Sequence, residues 1–67
     1  MKDSTIIYTV SQIGDNICEI YTSDGRVEPK DRLITISNSK LINSMIMISS
    51  ILNDEGFSVL FEVDWYE

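Results

Sequence analysis

The sequence predicts a small α+β domain: one helix packed on one face of a small antiparallel sheet of about four strands, in the order β-β-β-(β)-α-β. Two observations support this fold class. Apolar and polar residues alternate near both ends of the chain, which is the pattern of half-buried strands. Between these segments, residues 38–54 carry apolar side chains at helical spacing. Residues 1–67 are expected to form a single domain.

The first two strands are predicted at residues 5–11 and 17–22, joined as a hairpin. We expect a three-residue loop that ends at Asn16 in the left-handed conformation. This length places Ile20 on the same face as the apolar side chains of the first strand, whereas a two-residue loop would place Glu19 there.

A third strand is predicted at residues 26–28, after a type I′ turn at Asp24-Gly25. Pro29 would end this strand or confine it to a sheet edge, because proline cannot donate a ladder hydrogen bond. Residues 33–36 form either a further short strand or the lead-in to the helix, and the pattern leaves both open.

The helix is predicted over residues 38–54, with Ser37 as its N-cap. Gly56 fits the left-handed position of a Schellman turn, in which Leu52 and Phe57 make the accompanying apolar contact. The stripe expected to face the sheet consists of Leu41, Met45, Ile48 and Leu52.

The last strand is predicted at residues 57–65, and it is both aromatic and acidic because its two faces differ. One face, expected to close the core, carries Val59, Phe61, Val63 and Trp65. The other face carries Ser58, Leu60, Glu62, Asp64 and Tyr66.

The charge is unevenly distributed along the chain. The net charge is −6, and residues 41–67 contain five acidic residues and no lysine or arginine. Direct binding to nucleic acid is therefore not expected, because it requires basic groups that displace phosphate counterions. No segment is apolar enough to span a bilayer, so no membrane association is expected. With a single cysteine and no sequence typical of secretion, we expect a cytoplasmic protein, in the host cytoplasm if a phage encodes it.

The residue types present argue against catalysis. The chain has no histidine, and Cys18, its one cysteine, falls within a predicted strand where nothing would activate its thiol. The acidic residues show no calcium-loop spacing, and the glycines fall in turns rather than in a phosphate-binding loop. We expect no enzyme activity, no catalytic residue, no cofactor and no metal.

Protein binding is the class of function that remains, and outward-facing residues are the candidates for it. Acidic residues expected at the end of the helix, where they oppose the helix dipole, add to the acids of the last strand. The candidate partner-binding residues are Tyr21, Met47, Asp54, Glu55, Leu60, Glu62, Asp64 and Tyr66.

The sequence favours a small acidic protein-binding module, in its most specific form a phage or mobile-element inhibitor. Such an inhibitor would block a basic, nucleic-acid-binding surface of a host protein by DNA mimicry. Outward carboxylates two positions apart on a strand lie about 6.6 Å apart, which is roughly two axial phosphate steps of one DNA strand. The alternative is a structural or adaptor subunit that is stable mainly when docked through an apolar patch onto itself or a larger assembly. A homodimer is compatible with either hypothesis.

Overall fold

The predicted α+β class is confirmed: a four-stranded sheet carries one helix on one face. The computed structural model describes residues 4–64. The strands are β1 (Thr5–Gly14), β2 (Ile17–Tyr21), β3 (Leu33–Ser37) and β4 (Ser58–Val63), and the helix is α1 (Leu41–Asp54). Short 3₁₀ turns at Pro29–Asp31 and Asn38–Lys40 precede β3 and α1.

The strand order is β3-β2-β1-β4, and the sheet is mixed rather than wholly antiparallel. β2 is antiparallel to both β1 and β3, whereas β4 runs parallel to β1 with Ser58 beside Thr5. The direction of β4 follows from the chain path. β3 runs in the same direction as β1, and α1 then returns the chain to the end of the sheet where both strands begin.

The side-chain parity predicted for the first hairpin is confirmed. The predicted three-residue loop is wrong, because β1 ends at Gly14, opposite Ile17, and two residues lie between the strands. The register, however, shifts between Gln12 and Gly14. This bulge has the effect of a third loop residue, and it keeps Ile20 opposite Val10 in the core. Asn16 has a φ of 58°, as expected for the residue that closes such a turn.

The prediction of a strand at residues 26–28 is wrong. A turn forms in which the N–H of Val27 donates to the carbonyl of Asp24 at 3.2 Å. Gly56 is the one glycine of residues 4–64 with a positive φ, so the turn at Gly25 is not of the I′ type. Val27 is buried, because the turn directs it into the core instead of placing it on a sheet. The third strand is β3, which settles the alternative left open for residues 33–36.

The helix ends as predicted but begins differently. Residues 38–40 form a 3₁₀ turn, and Ser37 makes no side-chain cap. The N–H of Asn38 instead donates to the carbonyl of Asn16 at 3.1 Å, which ties the turn to the hairpin. At the other end, Gly56 has a φ of 93°, and the N–H of Phe57 donates to the carbonyl of Leu52 at 2.9 Å. This is the hydrogen bond of a Schellman turn.

The core lies between α1 and the inner face of the sheet. β1 and β2 contribute most of its fully buried side chains, and Leu41, Ile48 and Leu52 of α1 cover them. The inward apolar side chains of β1 are almost completely buried, because this strand has neighbours on both sides, β2 and β4, and faces α1.

The Tyr8 ring lies against the ring of Phe61 with centroids 5.7 Å apart, and Val59 also packs against the core. Val63, expected on the same face, is instead 58% exposed at the end of β4, and Trp65 lies outside the described residues.

Candidate protein-interaction surface

The side of the sheet opposite α1 is the candidate surface, and we call it the open face. It is formed by the outward-pointing residues of the four strands: Ile7, Thr9, Ser11, Glu19, Tyr21, Leu33, Thr35, Leu60 and Glu62. Alternation fixes this set, because the intervening residues of β1 and β2 are buried under α1.

Four large side chains form an apolar patch on the open face. The register places Ile7 directly opposite Leu60, and Tyr21 directly opposite Leu33. Thr9 lies between the two pairs, because it is opposite Tyr21 on one side and Glu62 on the other. The four apolar residues are each between 43% and 57% exposed. Ile7 and Tyr21 are diagonal neighbours on β1 and β2, so the two pairs form one apolar patch.

Acidic residues border this patch, and no basic residue lies on the strands. Glu62 lies two residues after Leu60 on β4. Glu19 of β2 lies opposite Ser11 of β1. The N–H of Asp64 donates to the carbonyl of Val10 at 2.7 Å, so Asp64 continues β4 and faces the same way as Glu62. Because the four strands contain no lysine or arginine, every charged side chain that they present on the open face is acidic.

The arginines are engaged in holding the segment between β2 and β3. Arg26 donates to the carboxylate of Asp24 at 2.7 Å and to the carbonyl of Thr5 at 3.0 Å, and its guanidinium lies 5.3 Å from the ring centroid of Phe57. Arg32 donates to the carbonyl of Val27 at 2.7 Å. These contacts explain why the segment is ordered without being a strand.

The Arg26–Asp24 pair predicts a specific acid sensitivity. Hydrogen bonds from Arg26 lower the pKa of Asp24 from 3.8 to about 2. A carboxyl whose pKa is lower in the folded state stabilises the fold above its unfolded pKa, and this contribution is lost as the pH falls from about 4 to about 2. We expect the Asp24 carboxyl to titrate near pH 2 by NMR and to return toward its usual value in Arg26→Gln. A midpoint near pH 4 in the unmodified protein would refute the pairing.

The predicted site residues divide between the two sides of the sheet. Tyr21, Leu60, Glu62 and Asp64 lie together on the open face, and Tyr66 lies outside the described residues. Met47, Asp54 and Glu55 are exposed on the helix side, with the two acids at the end of α1. The structure therefore brings four of the predicted residues together and separates them from three others.

Sequence reasoning missed two of the four members of the apolar patch, Ile7 and Leu33. The signal for Ile7 was present, because alternation sets it opposite the buried Ile6 and Tyr8. Leu33 could be placed only once residues 33–36 were known to form a strand beside β2.

The helix side carries exposed apolar residues of its own. Ile42 and Ile46 line an open groove of about 530 Å³ between α1 and β4, with Phe61 at its floor. Met47 and Ile51 line a second groove, of about 470 Å³, between α1 and the 22–32 segment. Among the described residues, the first groove has a single charged lining residue, Asp54, which suits apolar contact. The second is lined by charged residues as well as apolar ones: Arg26, Glu28, Lys30, Asp31 and Glu55.

Within residues 4–64, no three histidine, cysteine or acidic side chains lie close enough to hold a metal ion. Burial raises the pKa of the Cys18 thiol, which disfavours the reactive thiolate. None of the helices within residues 4–64 has the length and apolar character needed to cross a membrane.

Comparison with known proteins leaves the function to be argued from these surfaces: the chain matches no protein-family model, no curated protein and no solved structure.

Proposed function

We propose that the protein is a binding module that docks its open face onto a basic surface of another protein. The observation that carries this proposal is an apolar patch bordered by carboxylates on a sheet whose strands contain no lysine or arginine. Exposed apolar patches rimmed by polar residues are typical of interaction sites. Here the rim is acidic, so the complementary partner has an apolar centre with lysine and arginine around it.

The proposal has a more specific form: an inhibitor from a phage or mobile element that acts in the cytoplasm of the host cell. Glu62 and Asp64 point outward two positions apart, at a spacing of about 6.6 Å. Glu19 adds a third carboxylate two strands away. Such an array would substitute for phosphates on a surface that normally binds nucleic acid, and double-stranded DNA would then compete with the protein for its partner.

A second candidate function is favoured by the helix side. Ile42, Ile46, Met47 and Ile51 are more than half exposed, and a subunit docked through α1 into a larger assembly would cover them. This hypothesis predicts binding that is held or strengthened by salt, because apolar contact does not depend on charge.

The two functions are separated by capture from host lysate with matched baits. The baits are the unmodified protein, Tyr21→Lys on the open face, and Met47→Lys on the helix side. The proposal predicts a bound protein that is retained by Met47→Lys, lost with Tyr21→Lys and released by moderate salt. A protein retained by Tyr21→Lys, lost with Met47→Lys and stable to salt would contradict it and support the docked subunit.

A further inference from the structure

We propose that two copies of the chain associate through the outer edge of β4, which would join their sheets into one of eight strands. This inference does not depend on the proposed function. Within residues 4–64, no strand pairs with the side of β4 that faces away from β1. Unpaired strand edges are templates for pairing with another chain.

The hydrogen-bonding groups of β4 are arranged for such pairing. The N–H groups of Ser58 and Asp64 donate inward, to the carbonyls of Ser4 and Val10. Because donors alternate along a strand, the N–H groups of Val59, Phe61 and Val63 point outward at the open edge. β4 contains no proline and no lysine, and Glu62 is its one charged residue, so the edge has little of the protection that edge strands usually carry.

The sequence of β4 is complementary to itself when two copies run antiparallel. With Leu60 opposite Leu60 of the second copy, Val59 is opposite Phe61, and each Ser58 is opposite a Glu62. Val59 and Phe61 then form the hydrogen-bonded pairs, and the two Leu60 residues form the close non-hydrogen-bonded pair. No like charges are directly opposed, although each chain has a net charge of −6.

The groove between α1 and β4 provides a second contact for the second copy of the chain. Ile42 and Ile46 lie on the flank of α1 that faces β4, and they are 64% and 62% exposed. A two-fold axis through Leu60 places both helices on the same side of the joined sheet, so these flanks would meet and cover each other. Such burial would add to the stability of the fold, because a core of this size supplies only a few kcal/mol and a single cysteine cannot form a disulfide within the chain.

The dimer would place two open faces side by side. The acidic rim and apolar patch of each copy would then form one continuous, two-fold symmetric surface. A second copy at β4 therefore leaves the open face free.

Mass measurement by light scattering or sedimentation tests the association without any partner. The chain has a mass of 7.7 kDa, so the proposal predicts twice this mass at high concentration. Ile46→Glu places a negative charge from each copy between the two helices, and this repulsion should raise the dimer dissociation constant by at least tenfold. The matched control Ile51→Glu, on the other flank of α1, should leave it within about threefold.

Single cysteine substitutions test the register directly. Under oxidised glutathione, Leu60→Cys should form a covalent dimer at least tenfold faster than Glu62→Cys, since only residue 60 faces its own copy at a disulfide-compatible distance. Cys18 does not compete, because it is buried. A monomeric mass at all concentrations, equal cross-linking at positions 60 and 62, or dimerisation unaffected by Ile46→Glu would overturn the proposal.

Discussion

Tyr8→Ala is expected to leave the protein largely unfolded at room temperature. Tyr8 is 1% exposed on the central strand and lies against Phe61. Removing a large buried ring typically costs about 3–5 kcal/mol. A domain of this size has only about 3–5 kcal/mol of stability available. Far-UV circular dichroism and urea denaturation measure the loss.

Tyr8→Phe is the matched control for this result. The hydroxyl of Tyr8 lies 3.5 Å from the carbonyl of Asp31, which is too long for a strong hydrogen bond. We therefore expect Tyr8→Phe to retain the fold, with a change in unfolding free energy within about 1 kcal/mol. If both variants unfold, the hydroxyl rather than the packed ring holds this part of the core; if neither does, β1 is not the centre of the fold.

Reversing Glu62 and Asp64 to lysine is expected to abolish most partner binding while leaving the fold intact. Both side chains are exposed at outward positions, so the unfolding free energy should change by no more than about 1 kcal/mol. Binding should weaken by at least about 100-fold, or about 2.8 kcal/mol, because lysines would face the basic rim of the partner. Titration calorimetry with the captured partner provides the measurement.

Local features of the fold could be predicted because they depend on neighbouring residues. The parity that buries Ile20 and the turn at Gly56 follow from side-chain alternation and from the steric freedom of glycine. The strand expected at residues 26–28 was wrong because the contacts of Arg26 with Thr5 and Phe57 join distant parts of the chain. Sequence periodicity carries no information on such contacts.

The pairing of β4 with β1 could not be predicted from the sequence, for the same reason. Both strands were predicted, but their parallel direction depends on the whole path through β3 and α1. The candidate site shows the same limit. The outward positions of Leu60 and Glu62 were predicted from alternation, whereas the separation of Asp54 from Asp64 requires knowing on which side of the sheet α1 packs.

The location of the binding surface is tested most directly by comparing two double charge reversals in the same binding assay. Asp54→Lys/Glu55→Lys changes the net charge as much as Glu62→Lys/Asp64→Lys does, but it acts at the end of α1, on the other side of the sheet. If the open face is the docking surface, the dissociation constant rises at least about 100-fold for the β4 pair and stays within about threefold for the α1 pair. Equal losses for the two variants, or a loss confined to the α1 pair, would contradict the assignment of function to the open face.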